Sequence, residues 1–317
     1  MLSLVIIICM SAVMIASGGS STLSTPLEDV QQLLLKHYPM IMSHDAVSGE
    51  LDEDRDFVVT DWTRTQGVGL IGQLDCGSRS FDYRPYLSNG VLYGHHGGVV
   101  VHKTMRSSVV EVVDWCNSNP DDLVVLYVTD CGGDDGCLAQ VRSLLDSLNV
   151  YTISDCSVLS TLTYDKAQFN SRLRKGGSLL ALIGCVFENY DPSINCYGPS
   201  FVCYDSWPAN SSAAPWRDFS NYMLAVTSVD PTTNGSAAYS NLWMAQGHWQ
   251  STAVSISLGT LHNSSVLLDE SRSGANEWVR ESIYQRKFNY LNLLELDNVC
   301  NHGLEIYQAI QDTYLRL

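Results

Sequence analysis

Positive charge is scarce in this chain: 18 Lys and Arg stand against 34 Asp and Glu, a formal net charge of −16. An acidic surface argues against nucleic acid as a partner and against electrostatic adhesion to anionic lipid, while leaving room for a local basic pocket. Internal repeats and low-complexity linkers are missing. So is a Gly-rich phosphate loop after the first strand, which argues against an open doubly wound sheet that binds nucleotides. Long apolar runs are missing apart from one at the N-terminus. Residues 1–19 read as a secretory signal peptide cut near Ala16 to Gly19, although no Lys or Arg precedes the run. Its span of about 16 apolar residues falls short of the roughly 20 that a membrane-spanning helix needs. The C-terminus carries no anchor signal, so the chain is expected to be secreted.

At 317 residues, 45% hydrophobic and 16% charged, the composition is that of a globular protein. Residues 20–317 are expected to form a single domain. Of the ten Cys, removal of Cys9 with the leader leaves an odd number, so at least one thiol has no intrachain partner. Cys131/Cys137 and Cys196/Cys203 each flank a loop and read as local disulfides, whereas Cys76 or Cys185 reads as a buried free thiol in an apolar strand. Sequons at Asn210, Asn234 and Asn263 mark surface loops.

Apolar runs alternate with helical periodicity along the chain. A capping box at Thr25–Glu28 opens a helix to about Tyr38, and Met40–Met42 is a short strand ending in Ser43-His44-Asp45. Polar residues to Asp61 read as a loop, and 61–72 as a helix broken by glycines. A second capping box, Ser108–Glu111, opens a helix; Leu123–Val128 is a buried strand. Helices over 138–148 and 166–175, a strand over Ser178–Gly184, and a long loop over 185–220 follow. Strands over Tyr222–Val229, Leu242–Ala245 and Leu291–Leu296, with helices over 275–288 and 304–315, complete the pattern. Strand then helix, repeated seven or eight times, means α/β with a parallel sheet.

The densest chemistry lies between Gln73 and Gly98. In Ser80–Arg84 the alternation puts Asp82 and Arg84 on one face. Val91–His96 reads as a second strand, with a turn between the two at Ser88-Asn89-Gly90. His95 and His96 point to opposite faces, so only one joins a site; the glycine after His96 favours His96 and leaves His95 to packing. His102, His248 and His262 have no comparable context and read as structural, with His248-Trp249 alternatively lining the rim. Polar groups fall at strand ends: His44, Asp45, Asp82, Arg84, His96, Asp130 and Asp297. In a β/α barrel that face carries the chemistry. Two His, one Arg and several Asp on one rim suit phosphodiester cleavage: one His takes a proton from a nucleophilic hydroxyl and the other gives one to the leaving oxygen. Arg is a fixed planar cation for the phosphate oxygens.

The order and spacing of these pieces resemble the X-domain of phosphatidylinositol-specific phospholipases C, nearest to the metal-independent bacterial type. The matching pieces are Ser43-His44-Asp45, Gln73 through Arg84, His96-Gly97, Asn119-Pro120-Asp121-Asp122, Leu242 through Gln246, and Asn292 through Asp297. The resemblance implies a distorted (β/α)8 TIM barrel. It implies that His44 is the general base on the inositol 2-hydroxyl with Asp297 as its orienting partner. Arg84 would stabilise the pentacoordinate phosphate, held by Asp82, and His96 would be the general acid, assisted by Asp45. The product would be a 1,2-cyclic inositol phosphate. Tyr204 and Asp205 are candidates to meet substrate hydroxyls. The implied partners are a phospholipid or glycosylated inositol lipid and, transiently, a membrane surface.

No cofactor is implied. Calcium-using relatives carry an acidic ligand where Arg84 stands and Asn where Asp45 stands, so calcium is disfavoured; Asp75 and Asp82 are the carboxylates left to hold it. One departure is that bacterial relatives carry a basic residue just after the fourth strand, where this chain has Thr129-Asp130-Cys131. Two alternatives therefore stand beside the main expectation: a metal-dependent phosphodiesterase acting on glycerophosphodiesters or sphingolipids, and a secreted binding protein of the same fold without turnover.

Overall fold

In the computed structural model, which describes residues 32–52, 57–197 and 214–315, eight strands form one parallel sheet. Strand β1 (Met40–Ser43) lies between β2 (Ser80–Tyr83) and β12 (Leu293–Leu296). β6 (Leu123–Val128), β9 (Ser178–Ile183) and β8 (Tyr151–Ile153) continue beyond β2, and β11 (Leu242–Gln246) and β10 (Val186–Asn189) continue beyond β12. The order is β10-β11-β12-β1-β2-β6-β9-β8, and every pairing is parallel. β8 and β10 do not pair with each other, so the sheet curls into an incompletely closed barrel, the distorted TIM-type fold expected.

Helices cover the outside: α1 (Phe57–Thr63), α2 (Leu70–Asp75), α3 (Met105–Ser118), α4 (Cys137–Ser147), α5 (Tyr164–Asn170), α6 (Ala214–Val226), α7 (Ala253–Leu261), α8 (Val266–Ser273), α9 (Ala275–Tyr284) and α10 (Gly303–Ile310). None is long and apolar enough to cross a membrane. Alternate strand residues split between two environments, as a period of two requires. Met40, Met42, Val125, Tyr127, Leu180, Leu182, Met244 and Leu293 fill the barrel interior. Ile41, Leu294 and Leu296 face outward onto the helices that follow β11 and β12, and Phe81, Val124 and Leu126 onto α3 and α4.

The barrel is interrupted once in a way the sequence did not announce. The segment between Ser80–Arg84 and Val91–His96 is not only a connection. Pro85 opens β3 (Pro85–Ser88), which pairs antiparallel with β4 (Val91–His96), itself paired with β5 (Val99–Thr104). Asn89 (φ 49°) and Gly90 (φ 76°) form the two-residue link, the left-handed pair that a tight hairpin needs. A two-residue strand, β7 (Gly132–Gly133), joins the same small sheet beside β3. His96 thus sits on an inserted hairpin and not on a barrel strand.

Other expectations are corrected. Tyr222–Val229 is not a strand; it overlaps the end of α6, where Phe219, Met223 and Val226 are buried at helical spacing. The stretch after His44 is not all loop: Ala46–Glu50 is a 3-10 turn and α1 starts at Phe57. The 185–220 region contains β10 and the start of α6. α3 starts at Met105, capped by Thr104, whose hydroxyl accepts from Ser107 N at 3.2 Å, three residues before the expected box. Of the first expected helix, residues 25–31 lie outside the described residues, as does the leader; Leu35–His37 is a 3-10 turn. The last helix gives way to a π turn over Gln311–Leu315.

Cys131 and Cys137 are bonded as expected. Cys76 and Cys185 are not free: Cys76 bonds to Cys300 and Cys185 to Cys156, and the buried free thiol is Cys116 in α3. Cys76 caps α2 and does not lie in a strand, so its partner comes from 224 residues away, beyond β12. Cys203 lies outside the described residues. Asn234 and Asn263 are exposed, and Asn210 lies outside the described residues.

Candidate active site

The apolar fill stops short of the C-terminal ends of the strands. On β12, Leu293 packs inside the barrel and the next two positions on that face are Glu295 and Asp297, both buried. On β2 the same spacing places Asp82, and then Arg84 just past the strand. His44 follows β1 directly. Its backbone N–H donates to Leu296 O at 3.1 Å, and the buried Gln66 amide donates to both His44 O (3.0 Å) and Leu296 O (2.8 Å). This side-chain bridge locks the exits of β1 and β12 together.

Asp45 takes a left-handed conformation (φ 42°) that turns its side chain back into the cleft. It is fully buried there and touches three groups. One oxygen lies 2.8 Å from Arg84 Nε; the other lies 3.2 Å from Nε2 of both His44 and His96. Asp82 receives Arg84 Nη2 at 2.8 Å and the Asp45 N–H at 3.2 Å. Burial opposes the Arg84 charge, but Asp82 and Asp45 raise the guanidinium above its ordinary value. The other nitrogen of each histidine is engaged too: His44 Nδ1 with Asp297 Oδ1 at 2.7 Å, and His96 Nδ1 with Thr63 O at 2.6 Å. The two rings are 6.4 Å apart, centre to centre, across one cleft of about 410 Å³.

Glu295 was not singled out in the sequence and His248 was read as structural, yet both belong to this cluster. His248 stacks on His44 with ring centres 4.0 Å apart and planes within 17°. Its Nε2 lies 3.0 Å from Glu295 Oε2. Two signals were available: His248 follows the end of β11 as His44 follows β1, and Glu295 shares a face with Asp297. Burial, and after it the charge of His248, hold His44 well below the usual histidine range. Burial pushes Asp297 up to about 6 and Glu295 up to about 7. For His248 burial opposes the charge, but Asp297 and Glu295 outweigh it and push the ring up to about 9.

No family model matches the chain, and no curated protein does. Solved structures do. A pentafluoro-Phe-incorporated phosphatidylinositol-specific phospholipase C from Staphylococcus aureus superposes with a TM-score of 0.56 at 14% identity, covering 89% of this chain and 98% of that one. The phosphatidylinositol-specific phospholipase C from Listeria monocytogenes gives 0.57 at 13%, covering 88% and 95%. The chain has the fold of these phospholipases C.

Two sets of potential ligand atoms lie within 4.8 Å of one another, His44/His248/Glu295 and His44/Asp45/Asp82. In the first, His248 and Glu295 already hold each other. In the second, the Arg84 guanidinium bridges the two carboxylates, and a fixed cation there opposes a second one. Asp75 is turned away, accepting from Trp115 Nε1 at 2.9 Å on the outside of the sheet. In both sets the donor groups are thus already engaged by protein partners. Around the cleft mouth stand Thr129, Asp130, Glu188, Tyr190 and Gln250. Glu188 accepts from Tyr127 Oη at 2.6 Å. His95 packs beneath, as expected, within 2.8 Å of Asp130 O and 2.9 Å of Gly97 O. Tyr204 and Asp205 lie outside the described residues.

Proposed function

We propose that the chain is a secreted, metal-independent phosphodiesterase that cleaves phosphatidylinositol-type lipids to diacylglycerol and a cyclic inositol phosphate. The observation that carries this reading is the convergence of His44 Nε2 and His96 Nε2 on one carboxylate oxygen, with Arg84 on the other oxygen of the same group. His44 Nε2 takes the proton of the 2-hydroxyl while that oxygen forms its bond to phosphorus. The bond from phosphorus to the diacylglycerol oxygen breaks, and His96 gives that oxygen a proton. Asp297 orients His44, Asp45 and Thr63 orient His96, and Arg84, held by Asp82, meets the growing charge on the phosphate oxygens. A polyhydroxy headgroup suits the mouth, because Asp130 and Glu188 accept from hydroxyls. Residues 176–216 contain no Lys or Arg, so any grip on the headgroup there comes from acceptors and aromatic faces. A single catalytic domain over 20–317, released from a leader at 1–19, completes the reading.

Turnover of phosphatidylinositol in mixed micelles with excess EDTA, followed by phosphorus NMR, tests it. Wild type yields the cyclic phosphate, and His44→Ala yields none. Activity that appears only on adding calcium would favour the metal-dependent alternative. No turnover on any inositol lipid, with lipid binding retained, would favour the binding-protein alternative, which the acidic mouth supports.

A further inference from the structure

We propose that His248 is a positioning residue: a buried imidazolium, clamped by Glu295, that stacks on His44, fixes the plane of that ring and keeps its Nε2 free to accept a proton. The inference deepens the proposed function, resting on His44 as the base.

The geometry argues it from three directions. First, His248 is fully buried, and both its nitrogens face acceptors: Glu295 Oε2 at 3.0 Å on one side, Trp249 O at 3.2 Å and Asp297 Oδ2 at 3.7 Å on the other. A neutral ring satisfies both only where Glu295 carries a proton and donates to Nε2; with Glu295 ionised, the doubly protonated ring donates to both sides. Second, Asp297 spans the pair, one oxygen on His44 Nδ1 and the other toward His248 Nδ1, so the two rings share one carboxylate. Third, the near-parallel stack puts the imidazolium charge about one ring thickness from His44, where it opposes a second positive charge in a site of low dielectric. His44 also faces Asp45, Arg84 and His96; His248 also faces Glu270 of α8, a carboxyl that burial raises well above its usual range. A histidine kept only to fill the core needs neither the buried Glu295 nor the stack.

The test needs no substrate. Histidine-labelled full-length protein is titrated by nitrogen-15 NMR. In wild type at pH 7, His248 is expected doubly protonated and His44 neutral. His248→Phe keeps a stacking ring and removes the charge; Glu295→Gln keeps His248 and weakens its hold on the second proton. Each is expected to raise the His44 titration point by about one pH unit or more. The acid limb of the kcat/KM profile should move up with it. A neutral His248 at pH 7 in wild type overturns the proposal without any variant, and so does a His44 titration unmoved by Glu295→Gln. A shifted His44 titration in a protein that turns over no phosphodiester would leave the stack standing and remove the proposed reaction.

Discussion

His44 and His96 lie at the same distance from the same oxygen of Asp45, but the chain holds them by different means. His44 leaves a central barrel strand and is walled by β1, β11 and β12, with Asp297, His248 and the Gln66 bridge behind it. His96 ends a strand of an inserted hairpin and is steadied from behind by one backbone carbonyl, Thr63 O. The hairpin is fixed by Gly94 lying flat on Val47 and by Lys103, which reaches Glu50 at 2.9 Å. The His44 side is therefore dense in buried charge and part of the barrel. The His96 side is an attachment that has to be docked correctly. Proton acceptance from a hydroxyl gains from a ring whose protonation state is set by its surroundings. Proton donation to a leaving group gains from a ring nearer solvent that can be recharged after each cycle.

The largest expected effects separate acid from base. His44→Ala and His96→Ala should each lower kcat on phosphatidylinositol by roughly 10²–10⁴-fold. On an inositol phosphate ester of p-nitrophenol, whose leaving oxygen needs no proton, His96→Ala should recover most of the loss and His44→Ala should not. Equal losses on both substrates would break the contrast.

The next effect concerns stability. His248 is raised from 6.5 to about 9, so its contribution is fully present below pH 6.5 and is lost as the pH rises through about 9. The size is on the order of 3 kcal/mol. Glu295 and Asp297, raised by burial to about 7 and about 6, act in the same direction at lower pH, since ionising them inside the fold costs stability. His44, depressed, opposes them as the pH falls below its usual value. The urea midpoint should therefore drop between pH 6.5 and 9.5, and His248→Asn should flatten that drop. A wild-type midpoint that is level over this range would mean that His248 is not a buried imidazolium.

The smallest effect probes the hairpin. A Cβ at Gly94 would stand 2.8 Å from three atoms of Val47, so Gly94→Ala forces the hairpin away from the 3-10 turn. It should cost about 1–3 kcal/mol of stability and reduce kcat through His96, leaving the His44 titration in place. A shift of both histidines would show that hairpin and barrel move as one unit.

Much of the cluster around His44 was legible because it is local. Ser43-His44-Asp45 closes an apolar strand, and Asp82 with Arg84 shares a face by alternation. The hairpin was half legible: β4 was recognised, but β3 was hidden in the segment between the two expected strands; Pro85 is its first residue, a position where a missing N–H is tolerated. Tyr222–Val229 was misread because a buried apolar run has no clear period of its own; Phe219, four residues before Met223, is what reveals the helix. His248 was passed over because its meaning comes from Glu295 and His44, which lie 47 and more than 200 residues away.

By itself, then, the sequence determined the alternation of strand and helix and the strand-end position of His44, Arg84 and Asp297. These depend on period and neighbour, which local chemistry dictates. Tertiary structure alone decided that His96 arrives on a hairpin, that Cys76 meets Cys300, and that Glu295 and His248 gather behind His44. Each of these needs the curl of the sheet to bring distant strand ends onto one rim. No local spacing encodes that closure, because it follows from the packing of the whole barrel.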